Sequence, residues 1–157
     1  NELADFLLGD RRPLAWNQWP EISWRDPRSP GHIGDVPHAW IAAEWALAFR
    51  TMLAWERMDD QALVLAHGVP LVWLDEGDVV VDALDTYWGT LAYTLRRTAR
   101  DSIEIALRGD ATPPGGFVLR PPLPGKLVAA EVDGAPLAVT DDGGVTVHGR
   151  ANVRLRC

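Results

Sequence analysis

The chain has 157 residues, the length of one ordinary domain or of two small ones. Its 15 Lys and Arg against 22 Asp and Glu give a formal net charge of −7, which argues against nucleic acid as the main partner, because phosphate contacts need a basic footprint. Apolar residues at 47% and charged residues at 24% exclude wholesale disorder, and a lone cysteine, Cys157, excludes a disulfide framework or a cysteine-based metal site within the chain.

The 8 tryptophans are unevenly spread: all lie between Trp16 and Trp88, so the chain reads as two unlike halves. Residues 2–9 open in a helical phrase. Leu3, Phe6 and Leu7 recur at i, i+3 and i+4, with Gly9 as a stop, as in the last turns of a helix that starts earlier. No charged segment followed by an apolar run precedes it, and no apolar run reaches the ~18 residues of a membrane span. Residues 10–35 are broken by Pro13, Pro20, Pro27, Pro30, Gly31 and Gly34, yet carry Trp16, Trp19 and Trp24. A loop this long is uncommon in a compact domain, and it reads either as functional or as packing its own indoles against a neighbour.

Asp35 offers an N-cap and Pro37 fits a first turn, so a helix is predicted from there to Arg57, roughly 22 residues or ~33 Å. Ile41, Trp45, Ala48, Met52 and Trp55 form one apolar stripe, and Trp40, Ala43, Leu47 and Ala54 make the opposite side apolar too. A helix apolar nearly all round must be surrounded, and one helical phrase with one loop cannot surround it. Residues 1–57 therefore read as part of something larger.

From Asp59 onward the periodicity changes to two. Short strands are predicted at 62–65, 79–81, 91–95, 103–107, 117–119, 127–132, 137–139, 145–147 and 153–155, with a helical turn carrying Trp73. Alternation of apolar with polar residues in 91–95 and 102–108 indicates a sheet with one wet face. Asp133-Gly134 is a hairpin signal, and the close turn spacing points to an antiparallel sandwich. The domain division falls near 58–61, giving residues 1–58 and 59–157.

The order of these parts resembles the C-terminal end of a six-hairpin, (α/α)6-barrel glycoside hydrolase of the α-L-rhamnosidase-like group. The residues that carry the likeness are Trp16-Asn17-Gln18-Trp19-Pro20-Glu21, Gly34-Asp35-Val36-Pro37-His38-Ala39-Trp40 with Ala43-Glu44, the run from Leu65 to Leu74, Thr86-Tyr87-Trp88-Gly89-Thr90-Leu91, and Pro113-Pro114-Gly115-Gly116. The resemblance implies an α+β chain: terminal helices of an (α/α)6 barrel in residues 1–58, then an antiparallel β-sandwich in 59–157. It also implies an upstream part of the catalytic barrel, on the same or a separate polypeptide, as partner, and a carbohydrate as substrate. No cofactor, metal, nucleic acid or membrane is expected.

Glycoside hydrolysis uses two carboxyl groups, one protonating the leaving oxygen and one activating water or attacking. In the rhamnosidase-like pattern a tryptophan–glutamate pair in this loop supplies the base, and the enzyme inverts. Here Asn17 follows Trp16, and an amide cannot act as a base; the nearest carboxylate is Glu21, which reads as the catalytic residue or as a solvent-exposed loop carboxylate. The acid lies outside these residues, so the chain by itself is expected to be inactive. Trp16, Trp19 and Trp24 offer flat faces to a sugar or pack the wall, and at least one is expected only to pack. Asn17 can hydrogen-bond hydroxyls. Asp35 reads as a cap more readily than as a ligand. His38 is a neutral donor to a sugar hydroxyl or a satisfied core histidine, and the other histidines have no metal-ligand spacing. The competing reading is a non-catalytic carbohydrate-binding or structural β-sandwich module, with Tyr87 and Trp88 as an aromatic platform.

Overall fold

The computed structural model describes residues 2–9, 11, 14–22, 34–120, 122–140 and 142–157. The chain divides into two units, Asn1–Phe49 and Arg50–Cys157.

The first unit contains helix α1 (Glu2–Gly9), a 3-10 turn at Leu14–Trp16, and most of helix α2 (Ala39–Leu53). Helix α2 begins four residues after Asp35, so the predicted aspartate cap is corrected. The residue before the helix is His38, whose Nδ1 accepts the N–H of Ile41 at 3.4 Å and whose carbonyl accepts that of Ala42 at 3.2 Å. The imidazole thus satisfies one of the amides that a helix start leaves unpaired. None of the helix residues is fully buried: Trp40 is 71% exposed and Leu47 54%. The apolar perimeter read from the sequence is present and only partly covered: Ile41, Trp45 and Met52 are half-buried, whereas Trp40 is exposed.

The helix ends at Leu53, four residues short of the predicted Arg57, for a tertiary reason. The carbonyls of its last turn are captured from elsewhere: Gly68 N–H donates to Met52 O at 3.1 Å, Ala66 N–H to Leu53 O at 2.9 Å, and the Tyr93 hydroxyl to Leu53 O at 2.9 Å. Gly68 approaches so closely that a Cβ on it would lie 2.7 Å from Met52 Cα. With those acceptors filled, residues 54–57 turn out of the helix and become strand β1 (Ala54–Arg57), which pairs with β2 (Ala62–Leu65).

The second unit continues with a short helix α3 (Trp73–Glu76), then β3 (Val79–Thr86), β4 (Gly89–Ala99), β5 (Ser102–Gly109), β6 (Phe117–Leu119), β7 (Ala129–Val132), β8 (Ala135–Pro136), β9 (Val145–Val147) and β10 (Ala151–Arg156). Four strands form one sheet in the order β1-β2-β6-β9, and six form another in the order β3-β4-β5-β10-β7-β8. The inward faces follow from period two: Leu91, Tyr93 and Leu95; Ile103, Ile105 and Leu107; Ala151, Val153 and Leu155. They share one core with Leu63, Leu65, Phe117, Leu119, Val145 and Val147 of the smaller sheet. Each such buried Leu, Ile or Val side chain contributes about 1.5–3 kcal/mol. Burial of the Tyr93 phenol pushes its pKa well above the usual tyrosine range.

The expected α+β class, terminal helices of an (α/α)6 barrel followed by an antiparallel sandwich, is corrected. The chain is mostly β, with sheets of four and six strands. Besides the 15-residue α2 the described helices have 8 and 4 residues, and they are not the ends of a barrel. A helical-hairpin barrel is built from long paired helices buried along apolar stripes, and α2 has no buried stripe. Nor is the sheet system wholly antiparallel: β2 and β6 pair in parallel, Leu63 with Phe117 and Leu65 with Leu119. The expected strand at 137–139 is absent, because the hairpin closes earlier. Asp133 and Gly134 both take positive φ, 47° and 83°, and set Val132 opposite Ala135.

Candidate functional site

In the first unit, two stretches that are distant in sequence, 19–21 and 35–38, come together. Glu21 N–H donates to Asp35 O at 3.1 Å, and His38 N–H donates to Trp19 O at 3.3 Å. These bonds lay the segment 19–21 beside 35–38. Gly34 allows the close approach: it has φ +63°, and a Cβ there would lie 2.8 Å from Glu21 Cβ and 3.0 Å from Oε2. The Glu21 carboxylate is exposed. The His38 bond to Ile41 occupies Nδ1 as an acceptor, which leaves Nε2 to carry the proton and donate. Trp19, Glu21 and His38, three of the sequence candidates, are therefore held by one backbone frame.

The indoles divide. Trp19 is half-buried and lies against Trp45, ring centroids 5.2 Å apart, and Trp45 continues to Phe49 at 6.1 Å. Trp19 is thus engaged in packing against α2. Trp16 is 60% exposed at the end of the 3-10 turn. Asn17 follows it with φ 53°, and its Oδ1 accepts from the Arg11 guanidinium, which turns that oxygen toward the protein. Trp24 lies outside the described residues.

No family model, curated protein or solved structure matches the chain.

Among the described residues no cluster of three or more His, Cys, Asp or Glu side chains is arranged to hold a metal, and no helix is long and apolar enough to cross a membrane. The proposed aromatic platform is half realised. Tyr87 is 77% exposed at the β3–β4 turn, but Trp88 is half-buried against the core, and the two rings meet edge to face at 72°. Only Tyr87 offers a flat face outward.

Sequence reasoning did not single out the group beneath that turn. Arg50 donates to both oxygens of Glu56 at 3.1 Å and to Asp85 O at 2.8 Å, and Glu56 Oε1 accepts the Tyr87 N–H at 2.9 Å. Glu56 is largely buried here, so the charge-assisted bonds hold the turn in one position. Its sequence signal was hidden, since residues 50–57 read as continuous helix, on which side chains six residues apart point from different faces and do not meet.

Proposed function

We propose that the chain is the C-terminal part of an exo-acting, inverting glycoside hydrolase similar to the α-L-rhamnosidase-like group. It contributes one wall of the sugar site and a supporting β-unit. The observation that carries the reading is the frame that joins Trp19, Glu21 and His38, with an exposed carboxylate supported by Gly34 and Asp35. In an inverting reaction such a carboxylate takes a proton from water as the water attacks the anomeric carbon, while a carboxylic acid on the opposite side protonates the leaving oxygen. Glu21 is assigned the first role. His38, with Nε2–H as donor, is assigned a hydrogen bond to a sugar hydroxyl, and the exposed Trp16 a stacking face. Trp24 keeps the same assignment from the resemblance alone, as does Asn17 through its amide N–H groups.

The acid and the remaining walls belong to a larger catalytic domain. The exposed Trp40 indole on α2 supports a partner packed against that helix. The test is Glu21→Gln in the full-length parent. Turnover of an aryl glycoside should fall by about 10²–10⁴-fold, the range of general acid–base catalysis, with unchanged thermal melting. Unchanged turnover removes Glu21 from the base role, and activity of the 157-residue chain alone removes the requirement for a partner acid.

A further inference from the structure

The outer face of the six-stranded sheet carries two rows of side chains that run across the strands. The first row is charged and alternates in sign. Arg96 stands opposite Glu104, Glu104 opposite Arg154, and Arg154 opposite Glu131. Arg96 is bound in turn by Asp78 at 2.6 Å, and Arg154 by Glu104 at 2.6 Å. The second row is short. Thr94 stands opposite Ala106, and Ala106 opposite Asn152, whose backbone and side-chain amides both donate to Asp133 Oδ1.

A row of long side chains beside a row of short ones makes a trough. Its main part is a cavity of about 500 Å³ over Ala106, walled by Glu104, Glu131, Asp133, Asn152 and Arg154. A smaller hollow of about 110 Å³ continues it over Thr94 and Ala106 toward Arg108. Across β4, β5, β10 and β7 the strand spacing makes it about 14 Å long.

The chemistry of the walls narrows the occupant. The row alternates in sign, so it offers no basic footprint for a phosphate chain. The rows carry no aromatic side chain, so they lack the buried anchor of a protein interface. They do present donors and acceptors side by side on a rigid floor. Asn152 donates to Asp133 Oδ1, Arg108 to Thr94 Oγ1 and Arg154 to Glu104 Oε1, and beside these bonds Asn152 offers its Oδ1, Arg108 its other N–H groups, and Glu104 and Asp133 their second carboxylate oxygens. Neighbouring hydroxyls, each a donor and an acceptor, match that alternation.

We propose that this trough binds a neutral, linear oligosaccharide of about three residues, at a site separate from the Glu21 frame. The inference does not rest on the catalytic reading, because it concerns residues of the other unit. It gives the β-unit a ligand of its own: saccharide held by hydrogen bonds from a sheet face.

The test titrates the full-length protein, and the 157-residue chain in parallel, with soluble cello-, xylo-, manno- and rhamno-oligosaccharides of three to five sugars. Binding is followed by amide chemical shifts in the short chain and by calorimetry in both. One series should bind in the millimolar range, shift the amides of Thr94, Ala106, Asp133 and Asn152, and be unaffected by about 0.5 M salt. Ala106→Phe fills the floor and should weaken binding at least about tenfold at unchanged melting temperature. Glu104→Gln keeps the shape and should change affinity by no more than a few-fold. The proposal is overturned if no series shifts these residues, if Ala106→Phe binds as the parent does, or if only a lysine-rich peptide binds and salt removes it. Calorimetry on Glu21→Gln separates the sites: trough binding survives that substitution whatever it does to turnover.

Discussion

Gly109→Ala isolates how tightly the β4–β5 hairpin is built. Gly109 lies opposite Leu91 at the end of β5 with φ +86°, and a Cβ added to it would lie 2.2 Å from Thr90 O and 3.0 Å from Ala92 N. Thr90 O cannot simply move away, because the N–H groups of Asp110 and Ala111 both donate to it, at 2.9 and 3.1 Å. Three effects add. A positive φ with a Cβ costs about 1–2 kcal/mol. Overpacking costs about 1–3 kcal/mol. Each backbone bond lost as the strand end shifts costs about 0.5–1.5 kcal/mol. The total of about 3–6 kcal/mol is a large fraction of the stability of an ordinary domain. Gly134→Ala is the matched control, since it has φ +83° and nothing within 4 Å of the added carbon, so only the conformational part of about 1–2 kcal/mol applies. Thermal melts followed by circular dichroism should separate the two variants by roughly 8–16 °C, at about 4 °C per kcal/mol. Equal melting temperatures would refute the steric argument and show that Thr90 and its donors relax freely.

Tyr93→Phe should cost about 0.5–1.5 kcal/mol in urea unfolding and no more, because Ala66 N–H still donates to Leu53 O after the hydroxyl is gone; a loss above about 3 kcal/mol would mean that the hydroxyl alone satisfies that carbonyl. The Arg96 guanidinium holds the Asp78 carboxyl below the usual carboxylate range by a hydrogen bond, and Thr140 and Arg120 do the same for Asp142. A depressed folded pKa contributes stability above the unfolded value near 3.9, and that contribution disappears as pH falls through the folded value. Stability should therefore decline as pH drops below about 4, and Asp78→Asn should flatten that decline by lowering the stability at neutral pH toward its acid value; an unaltered acid limb in the variant would discount the pair.

The strands were legible where a clear alternation met a simple neighbour. Residues 91–95 and 102–108 show period two, and both became strands with the expected inward faces. The end of α2 was not legible, since residues 54–57 carry good helix formers and only the capture of Met52 and Leu53 carbonyls by Gly68, Ala66 and Tyr93 ends the helix. Proline and glycine in 10–35 marked a loop, and its tryptophans marked it as more than a linker. That residues 19–21 would bond to 35–38 required a close approach at Gly34 that composition does not reveal. The trough was hidden for a related reason: Arg96, Glu104, Arg154 and Glu131 are unremarkable wet-face residues until register sets them in one row.

The parallel pairing of β2 with β6 has a consequence for the order in which the chain assembles. Strands β3, β4 and β5 pair with their sequence neighbours and can form as each leaves the ribosome. Strand β2 finds β1 at once but must wait for Phe117, 54 residues beyond Leu63, before its other edge is filled. Closing a loop of that length costs about 3.5 kcal/mol of chain entropy, which is reduced once the β3–β5 meander has shortened the path. The smaller sheet is therefore a late assembly on an early template, and until it closes β2 presents an all-buried strand, Ala62–Leu65, as an open edge. Aggregation during synthesis, if it occurs, should begin at that edge.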